Sequence, residues 1–381
     1  MMDRLSRPWL APIWLGLLAW PLVGWPRAGY VAAWLAGALG AWWLLSRAVR
    51  SGGAQSTLGR VSQALHRVRL RLAGRQTPRR LIYGGGLALL LIGPLFLNNY
   101  NLDVLTLAGI YIVLALGLNI VVGLAGLLDL GYIAFYAIGA YCYALLSTHW
   151  GVPFWAGLPL GGLAAAAFGV LLGTVTLRLR GDYLAIVTLG FIHIVHLVLN
   201  NWDSVTNGPN GILNIGRPAI GDFVFSRPIH FYYLILAIVV AAAFAVRRLD
   251  RSRIGRAWMA IREDEIAAEA MGVDTTRFKT LAFALGAAWA GVAGVFFAGK
   301  FAFVSPESFT FFESVIVLAM VVLGGLGSIP GVILGASVIV LLPELLREFQ
   351  DYRMLVFGAA LIGVMIFRPQ GLLGGASHGH S

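Results

Sequence analysis

Apolar residues in this chain collect into long uninterrupted runs joined by short polar connections. The runs span residues 9–25, 28–46, 81–97, 102–122, 127–147, 154–177, 183–200, 231–246, 281–299, 314–327, 330–342 and 354–367. A bilayer takes about 20 apolar residues in a helix, so this pattern predicts about twelve transmembrane helices. Any spanning segment must satisfy its backbone internally, which makes the fold class all-α, a polytopic helical membrane protein. The shorter runs require helices that are short, tilted or broken.

The runs divide the chain. Residues 1–46 form a two-helix leader and 47–80 a basic linker; 81–373 form a ten-helix core, followed by a tail over 374–381. The opening MMDRLSRPWLAPIWLGLLAW imitates a secretory signal, but no clean small-x-small site follows and a second run begins at once, so it reads as a retained helix. In the linker, Leu58, Val61, Leu65, Val68 and Leu72 form an apolar stripe at helical spacing among arginines. That suits an amphipathic helix lying on anionic membrane lipids, with a basic linker as the alternative.

Small residues predict how the helices meet. Ala165, Gly169 and Gly173 recur every four residues, as do Ala290, Gly294 and Ala298, and such ridges let helices approach closely in lipid. The run VVLGGLGSIPGVILGA is too long for one span, and its glycines followed by Pro330 predict a tight turn with the proline opening the returning helix.

Composition agrees with the pattern: 59% of the 381 residues are hydrophobic and 12% charged, with mean hydropathy +0.81. The single cysteine, Cys142, excludes an internal disulfide framework. Net charge is +11, yet the arginines are distributed among connections, which argues for membrane topology and against nucleic acid. Segment 47–80 carries nine arginines and no acid, and counting spans from it places Arg178, Arg180, the 247–280 connection and Arg368 on the same side. The positive-inside rule makes that side, and both termini, cytoplasmic; the 201–230 loop and the 300–313 segment fall outside.

Few residues suggest chemistry. GVFFAGKF matches G-x-x-x-x-G-K but lacks the Ser or Thr that holds magnesium and does not follow a strand, so it is no phosphate site. His193 and His196 share a helical face at a spacing that suits a metal, but no carboxylate or cysteine in the segment completes a set, and a hydrogen-bonded interior pair is the favoured reading. Asp129, inside an apolar run, is either a helix N-terminal cap or a pathway or gating residue. Ser305, Glu307 and Glu313 in VSPESFTFFES are candidates on the outer side for receiving a partner protein or shaping a gate, with a structural loop as the alternative. No nucleophile elbow, HExxH pair or convergent carboxylate set is visible, so neither catalysis nor a cofactor is expected.

The polar stretch IREDEIAAEAMGVDTTRFKTLAF is the exception. A helix is predicted from after Gly255 through Met271, with Trp258, Ile261 and Ala268 on one side and Gly272 ending it in a left-handed turn. Asp274 or Thr275 then caps the next span. Arg262, Glu263, Asp264, Glu265 and Glu269 face water, which suits either a docking surface or an ordinary polar loop.

The stretch resembles the cytoplasmic E-A-A-x-x-x-G motif of ABC importer permeases, with Ala267, Ala268 and Gly272 at the Ala, Ala and Gly places. Ile266 stands at the Glu place, Glu265 lies one residue early, and the later I-x-L-P is absent. REDEIAAEAMGV, FVSPESFTFFESVIVLAMVVLGGLGS, MLVFGAALIGVMIFRPQGLL and GLNIVVGLAGLLDLGYIAFYAIGAY are similar to stretches of LivM-type permeases of branched-chain amino-acid ABC importers, over roughly 81–373. The resemblance implies a bacterial inner-membrane subunit without ATPase activity of its own. It would pair with a LivH-type permease, two cytoplasmic ATP-binding subunits and a periplasmic binding protein, and the 261–272 helix would transmit the ATP cycle. Permeases of urea or short-amide importers share the resemblance less closely. An ion-coupled carrier, the rival class, would need ionisable groups at mid-membrane, and apart from Asp129 and the His pair the spans nearly lack them.

Overall fold

The computed structural model describes residues 91–176, 179, 181–221, 223–345 and 358. The leader, the basic linker with its apolar stripe, the 354–367 run and the tail therefore lie outside the described residues, Gly358 apart.

Six helices among the described residues are long and apolar enough to cross a membrane. The chain is a multi-pass helical membrane protein. After a 3-10 turn at Gly93–Phe96, α1 (Asn99–Leu118) runs without a break into a π-type turn, Asn119–Leu124. Together they make 26 residues, buried within the bundle from Ala108 onward except for the half-buried Tyr111 and Ile112. There follow α2 (Ile133–Trp150), α3 (Phe154–Thr176), α4 (Asp182–Asn201), a short α5 (Asp203–Thr206) and α6 (Pro228–Asp250). The polar connection forms α7 (Arg253–Glu263) and α8 (Glu265–Ala270). The chain then rises through α9 (Thr275–Phe301), α10 (Phe311–Gly324) and α11 (Ile329–Leu345).

The small-residue ridges pack as their spacing predicts. α3 and α9 run antiparallel: a Cβ on Gly173 would lie 3.0 Å from Thr280 Cα, one on Gly169 2.7 Å from Phe283 O, and one on Gly161 2.3 Å from a Val295 methyl. α10 and α11 close on each other through Gly324 and Gly331, with Pro330 in the first turn of α11 as expected. Without lipid-excluded water to drive helices together, such close approach and its dispersion contacts supply the association.

Two short antiparallel ribbons tie the loops at one end. Ile212 and Leu213 pair with Val304 and Phe303, which holds the 202–227 connection to the α9–α10 loop. Ala219 and Ile220 pair with Val224 and Phe223. Lys300 of the discarded GVFFAGKF match is largely buried and pairs with Asp103 of α1 at 3.0 Å, joining the C-terminal end of α9 to the first turns of α1.

The structure differs from the sequence reading after α1. The run 127–147 predicted a single span, but its helix begins only at Ile133, and residues 126–131 contain no helix. The start of α2 lies inside the bundle. The Tyr132 hydroxyl donates to Gly286 O midway along α9, at 2.9 Å. The Ile133 amide donates to Ser314 Oγ of α10 at 3.2 Å, and a Cβ on Gly131 would lie 2.1 Å from Thr188 O of α4. Irregular backbone at such depth is stable only where protein covers it; Ala125, Leu127, Asp129, Gly131 and Tyr132 are buried.

Candidate coupling site

α7 begins at Ser252, whose Oγ accepts from the amides of Ile254 and Gly255 at 3.1 and 3.2 Å. The continuous helix expected through Met271 is instead broken at Asp264, which is extended (φ −156°, ψ 109°). Its Oδ1 accepts from Ile266 N at 2.9 Å and Ala267 N at 3.1 Å and so caps α8. Asp264 is thus a cap exposed on the surface. A short polar side chain competes with the helical ladder for backbone amides, and here it wins.

The far end of α8 follows the sequence reading. Gly272 is left-handed (φ +86°), Gly272 N bonds Glu269 O and Val273 N bonds Ala268 O, a Schellman closure. Asp274 Oδ1 caps α9 through Arg277 N at 3.1 Å.

One face of this unit holds it to the bundle. Trp258, Ile261 and Ala268 are buried, as predicted. Trp258 Nε1 donates to Phe278 O at 2.7 Å, and Lys279 Nζ pairs with Glu265 Oε1 at 2.5 Å. Glu265 therefore belongs to the inner face rather than to the water-facing set expected for it, because the break at Asp264 rotates α8 and brings Glu265 over α9. The outer face carries Glu263, Ala267 and Glu269, with Ile266 at 66% and Met271 at 84% exposure. Such apolar side chains ringed by acids are the composition of a contact surface.

Arg262 is exposed as expected, but its tip reaches back to the bundle. Its Nη1 donates to Gly123 O at 2.5 Å, at the end of the π-type turn. Gly126 (φ +73°) lies against its stem, where a Cβ would meet Arg262 Cγ at 2.7 Å. Next to them Asn119 Oδ1 accepts from Gly327 N at 2.9 Å, in the turn between α10 and α11. Asn119, Gly123 and Gly126 were not singled out from sequence, and Gly327 was read there only as part of a turn. The one available signal was an asparagine inside an apolar run.

The gate candidates lie in separate places: Asp129 in the unwound segment before α2, Ser305 and Glu307 in the α9–α10 loop, and Glu313 in the first turn of α10. Asp129 is buried, its Oδ1 accepting from Gly131 N at 2.8 Å, and its Oδ2 has no partner among the described residues. It is outside the helix it was expected to cap, and the bond to Gly131 shapes the turn before α2. Glu313 Oε2 accepts from the Tyr111 hydroxyl at 2.6 Å, so it packs onto α1 in the first turn of α10 rather than sitting in a loop. Ser305 and Ser308 face each other at 3.4 Å, and Glu307 is exposed. The interior hydrogen-bonded histidine pair is not formed. His193 is exposed with its ring 6.1 Å from that of Phe311, and His196 Nδ1 has no partner among the described residues.

Residues 100–365 match the family described as branched-chain amino acid transport system, permease component. The chain belongs to this family. This permease is 50% identical over 313 residues to the high-affinity branched-chain amino acid transport system permease protein LivM of Salmonella typhimurium, covering 75% of this chain and 74% of the relative. The LivM protein of Escherichia coli is 48% identical over 323 residues, 79% of this chain and 76% of its own length. The permease protein LivH of Escherichia coli is 28% identical over 287 residues, 71% of this chain and 92% of its own. No solved structure matches the chain. The family assignment and the apolar helices agree with the sequence reading of a multi-pass inner-membrane permease for branched-chain amino acids.

The turn at Gly272 gives a sharp expectation. Nothing lies within 4 Å of a Cβ there, so space is free and only the positive φ opposes a side chain. Val at such a conformation costs roughly 1–2 kcal/mol, while Asn visits it readily. Gly272→Val is expected to lower transport strongly and Gly272→Asn to leave it near wild type, measured as uptake by the assembled permease.

Proposed function

We propose that this permease forms one half of the pathway of an ATP-driven importer for leucine, isoleucine and valine. A LivH-type permease supplies the other half, two ATP-binding subunits dock on the α7–α8 unit, and a periplasmic binding protein delivers the substrate. The observation that carries this reading, beside the family match, is the outer face of α8, with acids around exposed Ile266 and Met271 while its inner face is pinned to α9. Likeness to both LivM and LivH relatives supports a pair of related permeases packed about a shared pathway.

In this arrangement the protein has no ATPase site and draws its energy from the docked subunits. Glu263, Ala267, Glu269 and the knob of Ile266 and Met271 contact them. Arg262, Asp264, Glu265, Ala268 and Gly272 shape and anchor the unit. The apolar Ile266 at the Glu place of the motif acts as part of that knob. Arg247, Arg248, Arg251, Arg253 and Arg256 around it support a cytoplasmic position, and with it cytoplasmic termini. Asp129 and Glu313, on either side of the inward-starting α2, are the gating residues, with His193 and His196 on the adjacent α4.

Reconstitution tests the reading. Liposomes holding this chain with its LivH-type partner and ATP-binding subunits are expected to take up labelled leucine only when ATP and the binding protein are both present. Uptake by this chain alone, or uptake indifferent to ATP, would refute it.

A further inference from the structure

Two breaks in the helical bundle meet at one side chain of the docking unit. The π-type turn leaves Gly123 O at the negative end of α1 without a partner further along the helix, and the Arg262 guanidinium occupies it. Gly123 is also wedged against the second break, since a Cβ on it would lie 2.7 Å from Gly327 N. Gly327 itself sits close to both, its would-be Cβ lying 3.4 Å from Gly123 O and 3.5 Å from Arg262 Nη1. Asn119 Oδ1 completes the cluster through Gly327 N. Trp258 and Glu265 bind the same docking unit to α9 alone. Among the described residues, the hydrogen bond from α7 to the first break is made by Arg262, whose guanidinium also lies against the second.

The cluster also holds an unused donor. Asn119 is fully buried, yet its Nδ2 has no partner among the described residues. A buried amide left half-satisfied is costly. Gly123, Gly126 and Gly327 let the backbones close on the Asn119 and Arg262 side chains: a Cβ would lie 2.0 Å from Asn119 Oδ1 at Gly123, 2.7 Å from Arg262 Cγ at Gly126 and 3.5 Å from Arg262 Nη1 at Gly327.

Resting on the importer reading above, we infer that Arg262 is the positioning residue that carries movement of the docking helix to the α1 break and the α10–α11 turn. Movement of α7 pulls on Gly123 O. The π-type turn follows, Gly327 and α10 move with it, and the change reaches the start of α2, where Ile133 is bonded to Ser314 of α10. Arg262 acts through these groups and touches neither nucleotide nor substrate.

The test uses the whole complex in liposomes and reads leucine imported per ATP hydrolysed, a ratio that differences in yield do not move. Arg262→Ala is expected to lower that ratio by about tenfold or more, within the range of a coupling free energy. Arg262→Lys, which keeps the charge and one donor, is expected to fall between the variant and wild type. An unchanged ratio in Arg262→Ala overturns the inference. If that variant does not assemble, a wild-type ratio in Arg262→Lys, or its own failure to assemble, assigns Arg262 to assembly and overturns it equally. Absence of ATP-dependent leucine uptake by the wild-type complex would instead defeat the importer reading.

Discussion

Gly139→Leu is expected to abolish recovery of folded permease from membranes. A Cβ at this position of α2 would lie 2.3 Å from Gly291 O and 2.4 Å from Gly291 Cα, both backbone atoms of α9. No rotamer change relieves such contacts, so the helices themselves would have to separate. α9 has nowhere to go, because Gly291 is pressed on its other side, where its own Cβ would lie 2.5 Å from Gly161 O of α3. Three helices meet through glycine at one level, and a Leu forces them apart and forfeits dispersion along both seams. Overpacking with side chains that can yield costs about 1–3 kcal/mol; with backbone on every side the penalty exceeds that range. The control is Gly190→Ala on α4, where nothing lies within 4 Å of the added Cβ. Monodisperse protein extracted in mild detergent is the readout: little for Gly139→Leu, wild-type yield for Gly190→Ala. Normal recovery of Gly139→Leu would contradict the α2–α9 contact.

The parts of this fold visible in sequence are those decided locally. Apolar runs locate the helices because the bilayer sets their length, and α3, α4, α6 and α9 enclose the predicted spans 154–177, 183–200, 231–246 and 281–299 to within a few residues. Gly272 and Asp274 were legible because cap chemistry needs only the neighbouring backbone. The late start of α2 was not, since Leu127, Leu128 and Leu130 are as apolar in an unwound segment as in a helix. What unwinds them is distant: Thr188 accepts from Leu130 N at 3.0 Å and Ser314 from Ile133 N. The histidines failed for a related reason. Spacing places two side chains on one face but does not say what that face meets, and His193 meets Phe311.

The break at Asp264 was equally hidden, since REDEIAAEAM consists mostly of good helix formers, and it leads to the second large expected effect. Asp264→Ala should cut leucine uptake by about tenfold, while Asp264→Asn and Asp264→Ser should retain it. α8 has only six residues, and helices this short do not persist by propensity. Four things hold it: the Asp264 cap, the Glu265–Lys279 pair, the buried Ala268 and the Gly272 closure. Removing the cap leaves Ile266 N and Ala267 N unpaired at the exposed end and costs about 1 kcal/mol. It also removes the reason for the kink, since Ala restores a preference for continuing α7 through position 264. A straightened helix would turn α8 about its axis, carry Glu265 away from Lys279 and move Ile266 and Met271 off the proposed docking face. Asn and Ser keep an oxygen that accepts from the same amides, so the kink survives without the charge. Uptake together with co-purification of the ATP-binding subunits separates the possibilities. Equal loss in Ala and Asn variants would show that the carboxylate charge, rather than the cap it makes, is what docking requires.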